Sequence, residues 1–101
     1  MDHLITALSE PVRRQMLELL ATGPLKAGEI ERRLGLAQPL ASRHLRVLRQ
    51  AGLAEVTKQA QARVYRLNAA PLAELDSWLA RYRPFWSGAL DALERHLNTE
   101  S

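Results

Sequence analysis

The sequence predicts a mainly helical domain carrying one small β-hairpin, in the order α-α-α-α-β-β-α(-α). Three observations predict it. Apolar residues recur at helical spacing over most of the chain. One stretch, 53–67, is rich instead in Val, Leu, Thr and Tyr, and glycine or proline punctuates the junctions between segments.

From Asp2 to Ala21 the pattern is helical and broken once. Leu4, Ile5 and Leu8 share helical spacing, and Ser9-Glu10-Pro11 reads as a stop and restart, with Ser9 as N-cap and proline in the first turn. Val12, Met16, Leu19 and Leu20 form the apolar stripe of the second helix, which Thr22-Gly23-Pro24 ends. A short third helix spans 26–34, with Ile30, Arg33 and Leu34 on neighbouring turns and Gly35 as its stop. A fourth opens around Ala37 to Pro39, runs to Gln50 and closes at Ala51-Gly52. Two short helices joined by a tight, glycine-containing turn are the helix-turn-helix arrangement.

Leu53 to Thr57 and Arg63 to Leu67 read as antiparallel strands around Lys58 to Ala62, the wing of a winged helix-turn-helix. Alternation puts Tyr65 and Leu67 on one face and Val64 and Arg66 on the other, with Tyr65 inward as a core residue. Helix resumes at Ala70, where Leu72, Leu75, Trp78, Leu79 and Tyr82 make a broad stripe. Pro84 kinks or breaks it near Arg83, and Phe85, Trp86, Ala89, Leu90, Leu93 and Leu97 continue it. The chain of 101 residues has room for one domain, 1–101, with a modest core.

Composition narrows the function. No apolar run is long enough to span a membrane, and the first residues lack the pattern of a signal peptide. With no cysteine, disulfides and thiolate metal sites are excluded, and a cytoplasmic location is expected. The net charge of +3 is unevenly spread. Between Leu36 and Asn68 stand Arg43, Arg46, Arg49, Lys58, Arg63 and Arg66 against the single acid Glu55, while the remainder is mildly acidic. A contiguous cationic third suits a surface that displaces counterions from phosphates. A charge run is ordinarily just a solvated face, so the fourth helix decides.

On that helix Ala41, Leu45 and Leu48 share one side. Gln38, Ser42, Arg46 and Arg49 lie opposite, with Pro39 and Arg43 beside them. The outward side has no acid between Gln38 and Gln50, where a merely solvated helix would mix in carboxylates for i,i+4 pairs. Its side chains suit DNA: Gln pairs bidentately with adenine, Arg with guanine, and Ser with base or phosphate. Lys58, Arg63 and Arg66 on the wing would reach flanking phosphates and set register rather than sequence.

The run Leu36-Ala-Gln-Pro-Leu-Ala-Ser-Arg-His-Leu-Arg-Val-Leu-Arg-Gln-Ala-Gly-Leu53 resembles the ArsR/SmtB family of bacterial winged helix-turn-helix repressors. The likeness extends upstream through Pro11-Val-Arg-Arg-Gln-Met-Leu-Glu-Leu-Leu20 and downstream through Tyr65-Arg-Leu67. It implies a homodimer, docked through its first and last helices, on an inverted repeat of double-stranded DNA. It implies base-reading roles for Gln38, Ser42 and Arg43, to which helical geometry adds Arg46; Pro39, Arg49, Lys58, Arg63 and Arg66 are the phosphate and wing contacts. Three departures stand out. Ala37 replaces a capping Ser, Lys26 replaces a Thr, and the wing turn Lys58-Gln-Ala-Gln-Ala62 lacks a glycine, so a loose, mobile wing without positive φ is expected.

Many members of that family release DNA on binding metal, through a cysteine box in the third helix or an Asp-x-His set in the last. Here the third helix has neither Cys nor His, and Trp78 stands where Asp76 would need a histidine. His3, His44 and His96 are far apart in sequence, and His44, between the core and DNA sides, reads as a packing residue. No metal and no cofactor are expected, as in the metal-ligand-free subgroup with an aromatic last helix.

Trp78, Tyr82, Phe85 and Trp86 admit two readings. One is a dimer interface formed with Leu4, Leu8, Leu75 and Leu79. The other is a small-molecule effector pocket in the dimer seam. An enzyme is not indicated: there is no phosphate loop, no nucleophile–base spacing, and Ser42 and His44 point to different helix faces. A winged-helix protein-interaction module is the competing class, argued against by the acid-free basic face, and RNA binding lacks an aromatic platform.

Overall fold

The computed structural model describes residues 1–99; Glu100 and Ser101, the end of the domain expected over 1–101, lie outside the described residues. The helices are α1 (Asp2–Leu8), α2 (Pro11–Leu20), α3 (Ala27–Leu34), α4 (Gln38–Gln50), α5 (Ala70–Ala80) and α6 (Ser87–Thr99). The strands are β1 (Leu25–Lys26), β2 (Ala54–Gln59) and β3 (Ala62–Leu67), antiparallel in the order β1-β3-β2. This is a winged helix-turn-helix.

The turn between α1 and α2 is built by cations capping carbonyls. Ser9, expected as the N-cap of α2, instead closes α1, its Oγ donating to the Thr6 carbonyl at 2.7 Å. Glu10 is the N-cap, extended at φ −104° and ψ 125°, because the residue before a proline is pushed out of the helical region. Arg13 donates to the carbonyls of Thr6 (2.8 Å) and Ala7 (2.9 Å), and Arg14 to that of Leu8 (2.6 Å). Two guanidinium groups thus satisfy the last turn of α1, where the helix dipole also favours positive charge.

The core gathers Leu4, Ala7, Met16, Leu17, Leu20, Ile30, Ala41, Leu45, Leu48, Leu53, Ala54 and Tyr65. Leu17 joins Met16 and Leu20 inside, whereas Leu19 is only half-buried. Helices α3 and α4 end alike, on Gly35 (φ 63°) and Gly52 (φ 75°). In each case the following leucine donates back into the helix: Leu36 to the Glu31 carbonyl and Leu53 to the Leu48 carbonyl, both at 2.9 Å. This is the Schellman closure, and its left-handed residue favours glycine.

Two expectations about the sheet are corrected. Beyond the hairpin there is a third strand, β1, only two residues long, pairing Leu25 with Tyr65 and Lys26 with Val64. Val64 is buried as well as Tyr65, but only Tyr65 belongs to the main core cluster, so both faces of β3 are covered here while the register of the strand stays regular. The wing turn is tight rather than loose. Gln59 pairs with Ala62, leaving only Ala60 and Gln61 between the strands, and Ala60 takes φ 55°. The twist of a two-residue hairpin demands positive φ, and without a glycine an alanine supplies it.

The last helix is broken, not kinked: a 3-10 turn, Arg83–Phe85, separates α5 from α6. Leu72 and Leu75 pack against the core, while α6 stands clear and stretches the molecule to 56 × 31 × 20 Å. No described helix is long and apolar enough to cross a membrane.

A left-handed alanine costs roughly 1–2 kcal/mol, partly offset by the greater unfolded-state freedom of glycine. Ala60→Gly is therefore expected to raise stability by about 0.5–1 kcal/mol in urea unfolding. A loss of stability would show that the turn is not strained in solution.

Candidate nucleic-acid interface

Helix α4 presents two sides. Ala41, Leu45 and Leu48 are wholly buried, while Gln38, Pro39, Ser42, Arg43, Arg46 and Arg49 are exposed, as their spacing requires. Ala37 offers no side chain to cap the helix, and its carbonyl takes the first backbone bonds, from Leu40 at 3.1 Å and Ala41 at 3.0 Å. Gln38 Nε2 lies 3.5 Å from Ser42 Oγ, a long contact that leaves the amide free to engage a ligand.

The wing joins this face. One surface hollow is lined by Pro39, Ser42, Arg43, Arg46 and Arg49 of α4 together with Arg63 and Tyr65 from β3. A second groove brings Gln38 together with Arg63 and Gln61 of the wing and Lys26 at the start of α3. Lys26 and Gln61 were not among the expected contacts; the only signal at Lys26 was its departure from the family's usual residue. Lys58 stands within β2, directly opposite Arg63. Two like charges in register destabilise a hairpin unless an anion lies near both.

Six of the twelve arginines are held by partners among the described residues, and the other six, Arg81 and Arg95 of the C-terminal segment among them, are not. Arg13 and Arg14 are held by backbone carbonyls, Arg32 and Arg33 by Glu29, Arg83 by Asp76 and Arg66 by Thr57 Oγ1 (2.7 Å). The two guanidinium groups beside Glu29, Arg33 first, hold its carboxyl below the usual range. Arg43, Arg46, Arg49, Lys58 and Arg63 form no hydrogen bond or ion pair within the described residues. Arg66 differs from its wing neighbours in being half-buried and opposite Glu55.

His44 sits half-buried between the two sides of α4, its Nδ1 3.1 Å from Arg13 Nη1. Among the described residues no three His, Cys, Asp or Glu gather as a metal site would need.

The residues expected at a dimer seam fall into two sets. Leu4 is buried in the chain's own core, and Leu8 and Leu75 pack against that core, because α1 and α5 turn these positions inward. Leu79 is half-buried. Trp78, Tyr82, Phe85 and Trp86 remain exposed, Phe85 by 83%, and so do Met1, Ile5, Leu90, Leu93 and Leu97. The rings of Trp78 and Tyr82 lie 5.0 Å apart and those of Tyr82 and Phe85 6.4 Å, both tilted. Trp78 also lines a shallow groove with Met1 and Arg81.

Residues 10–56 match the profile described as bacterial regulatory protein, arsR family. The chain is 37% identical over 99 residues to the HTH-type transcriptional regulator Rv2034 of Mycobacterium tuberculosis, covering 98% of this chain and 90% of that one. It is 32% identical to the transcriptional repressor SdpR of Bacillus subtilis, over 81% of this chain and 91% of the relative. The solved ArsR-like transcriptional regulator from Rhodococcus sp. RHA1 superposes with a TM-score of 0.73 at 26% identity, covering 93% and 89% of the two chains.

Heparin chromatography checks the division of the cations. Arg49→Ala and Arg63→Ala are expected to elute at lower salt than the parent. Arg83→Ala, which removes the same charge from a group tied to Asp76 at 3.1 Å, should elute with it. Equal shifts for all three would mean that net charge, not this face, governs binding.

Proposed function

Because this chain belongs to the arsR family of bacterial regulatory proteins, DNA-binding transcriptional regulators and not enzymes, we propose that it acts as a homodimeric repressor on an inverted-repeat operator. The observation that carries this reading is the set of unpartnered cations shared by the outer side of α4 and the wing. Such groups gain most from phosphates and base edges, because no internal bond has to be broken first.

In the proposed complex, Gln38, Ser42, Arg43 and Arg46 read base edges from the major groove. Pro39 and Arg49 meet the sugar–phosphate strand, and Lys58 and Arg63 clamp the flank. Arg66, already engaged by Thr57, contributes least. Two-fold symmetry sets the two copies of α4 about 34–36 Å apart, in successive major grooves. The dimer seam is proposed to form from Trp78, Tyr82, Phe85 and Trp86 with the exposed positions of α1, since apolar rings this accessible are what a second copy covers. A metal inducer is not part of the proposal, because α3 offers neither thiolate nor imidazole.

The test is fluorescence anisotropy on DNA from the gene's own upstream region, beside a shuffled duplex, at physiological salt. Preference for the upstream DNA by about 10³-fold or more is expected of a specific repressor; equal affinity would reduce the chain to a nonspecific binder. Gln38→Ala or Arg43→Ala should cost roughly 1–3 kcal/mol and relax preference at one base pair. Lys58→Ala should weaken all sequences alike and lower the salt slope by about one. If the two classes of variant behave identically, the division between reading helix and clamping wing is wrong. Phe85→Glu is expected to shift the sedimentation profile toward monomer, and a dimer of unchanged affinity would remove the aromatic turn from the seam.

A further inference from the structure

Arg13 links three elements. Its Nε and Nη2 donate to the carbonyls of Ala7 (2.9 Å) and Thr6 (2.8 Å), fastening it to the end of α1, while Nη1 lies 3.1 Å from His44 Nδ1 on α4. A guanidinium has donors and no acceptor. Nδ1 of His44 must therefore be the bare nitrogen, with the ring proton on Nε2. The contact holds only while the ring is neutral, because a second proton would set N–H against N–H.

We propose that Arg13 and His44 are positioning residues for DNA recognition: Arg13, anchored by the last carbonyls of α1, holds α4 in its reading orientation through the neutral ring of His44. This rests on α4 being the helix that reads DNA. His44 is adjacent to Arg43 and lies between the buried Ala41 and Leu45, so displacing its ring tilts the helix within a turn of Ser42 and Arg43 and less than two turns from Gln38.

The charges facing the ring are Arg13 from α2, Glu10 just before α2, and Arg43 on α4 itself; α1 presents carbonyls. Burial first, then Arg13, hold His44 below the ordinary value of 6.5, with Glu10 opposing and Arg43 adding to the effect. A depressed histidine favours the fold in its neutral form. Its contribution is complete above the unfolded value, near 6.5, and is lost as the pH falls from there toward the lower folded value. Acid would thus loosen the joint while raising the protein's positive charge. Nonspecific DNA affinity should rise as specific recognition falls, so the ratio of the two is the quantity to follow.

Two measurements decide the proposal. Long-range 1H–15N NMR of the full chain, without DNA, is expected to show His44 with its proton on Nε2 and a midpoint below 6.5. A proton on Nδ1 overturns the proposal, whatever the protein binds. The second measurement is the affinity ratio for upstream over shuffled DNA at pH 7.5 and at a pH about one unit below the His44 midpoint that NMR gives, with circular dichroism confirming the fold at each. The parent ratio is expected to fall at least about tenfold on acidification, the scale of one charge-assisted hydrogen bond. His44→Asn keeps an acceptor near the Nδ1 position and has no titrating ring, so its ratio should stay level. Arg13→Lys, which cannot hold three acceptors with one planar fork, should begin about tenfold low at pH 7.5 and stay there. A His44→Asn profile that follows the parent, or an Arg13→Lys ratio equal to the parent's at pH 7.5, overturns the proposal. If the parent shows no preference for upstream DNA, the reading of α4 fails, and the NMR result alone decides whether the joint exists.

Discussion

The outer side of α4 is available for DNA because the inner side is committed elsewhere. Ala41, Leu45 and Leu48 are buried against α1, α2, α3 and β2. Full burial of a leucine stabilises by about 1.5–3 kcal/mol, whereas the missing hydroxyl at Ala37 costs about 0.5–2 kcal/mol. The two buried leucines outweigh the uncapped end, so packing rather than local capping holds the helix in place. A period of 3.6 residues then leaves no freedom: with three positions inward, Gln38, Ser42, Arg46 and Arg49 face water. Those side chains carry no packing duty, and their chemistry is open to selection for a ligand.

The same residue type serves two purposes, and its surroundings decide which. Where carbonyls or carboxylates lie within reach, arginine becomes part of the scaffold, as Arg13 and Arg14 do at the end of α1 and Arg32 and Arg33 do beside Glu29. Helix α4 itself carries no carboxylate, Glu55 shares a groove with Arg46 and Arg49 without forming an ion pair with either, and across the wing Lys58 faces Arg63 rather than an acid. Exposed ion pairs are worth at most about 1 kcal/mol, so leaving these cations unpaired sacrifices little stability. It keeps their full charge for phosphates, where displaced counterions supply much of the binding free energy.

Most of the fold was legible because its signals are local and periodic. The spacing of Ala41, Leu45 and Leu48, the stops at Gly35 and Gly52, and the break at Pro84 each act through a few neighbouring residues. What escaped depends on partners distant in sequence. Strand β1 is too short to show alternation and exists only because β3 offers an edge. Ala60 reads as an ordinary residue until the register of β2 on β3 leaves just two positions for the turn. Ser9 suits an N-cap by type and Glu10 does not, yet the proline after Glu10 holds Glu10 in the extended conformation that an N-cap adopts. At the candidate site the cations of α4 and the wing were legible as charge without acids. The roles of Arg13 and Leu4 were not, since an arginine in a helical stripe reads as solvated and a leucine near the start of a chain gives no sign of which surface it covers.

The exposed C-terminal segment presents a different energetic problem. Helix α6 has thirteen residues and packs chiefly on the 3-10 turn before it, leaving Leu90, Leu93 and Leu97 each more than half exposed. An isolated helix of that length is marginal in water, because nucleation is costly and propagation returns little per residue. Trp86, Leu90, Leu93 and Leu97 follow one another at steps of four, three and four, so their side chains form a single stripe rather than a scatter. Ordinary surface leucines need no explanation, but a continuous stripe ending in an aromatic cluster exceeds what a monomer usually leaves in water. In the proposed dimer that stripe continues the aromatic seam, and the order of α6 depends on protomer concentration as much as on its own sequence. Since Arg13 ties α1 to α4 at His44, a seam that includes α1 is connected to the reading helix through a short chain of hydrogen bonds as well as through the core.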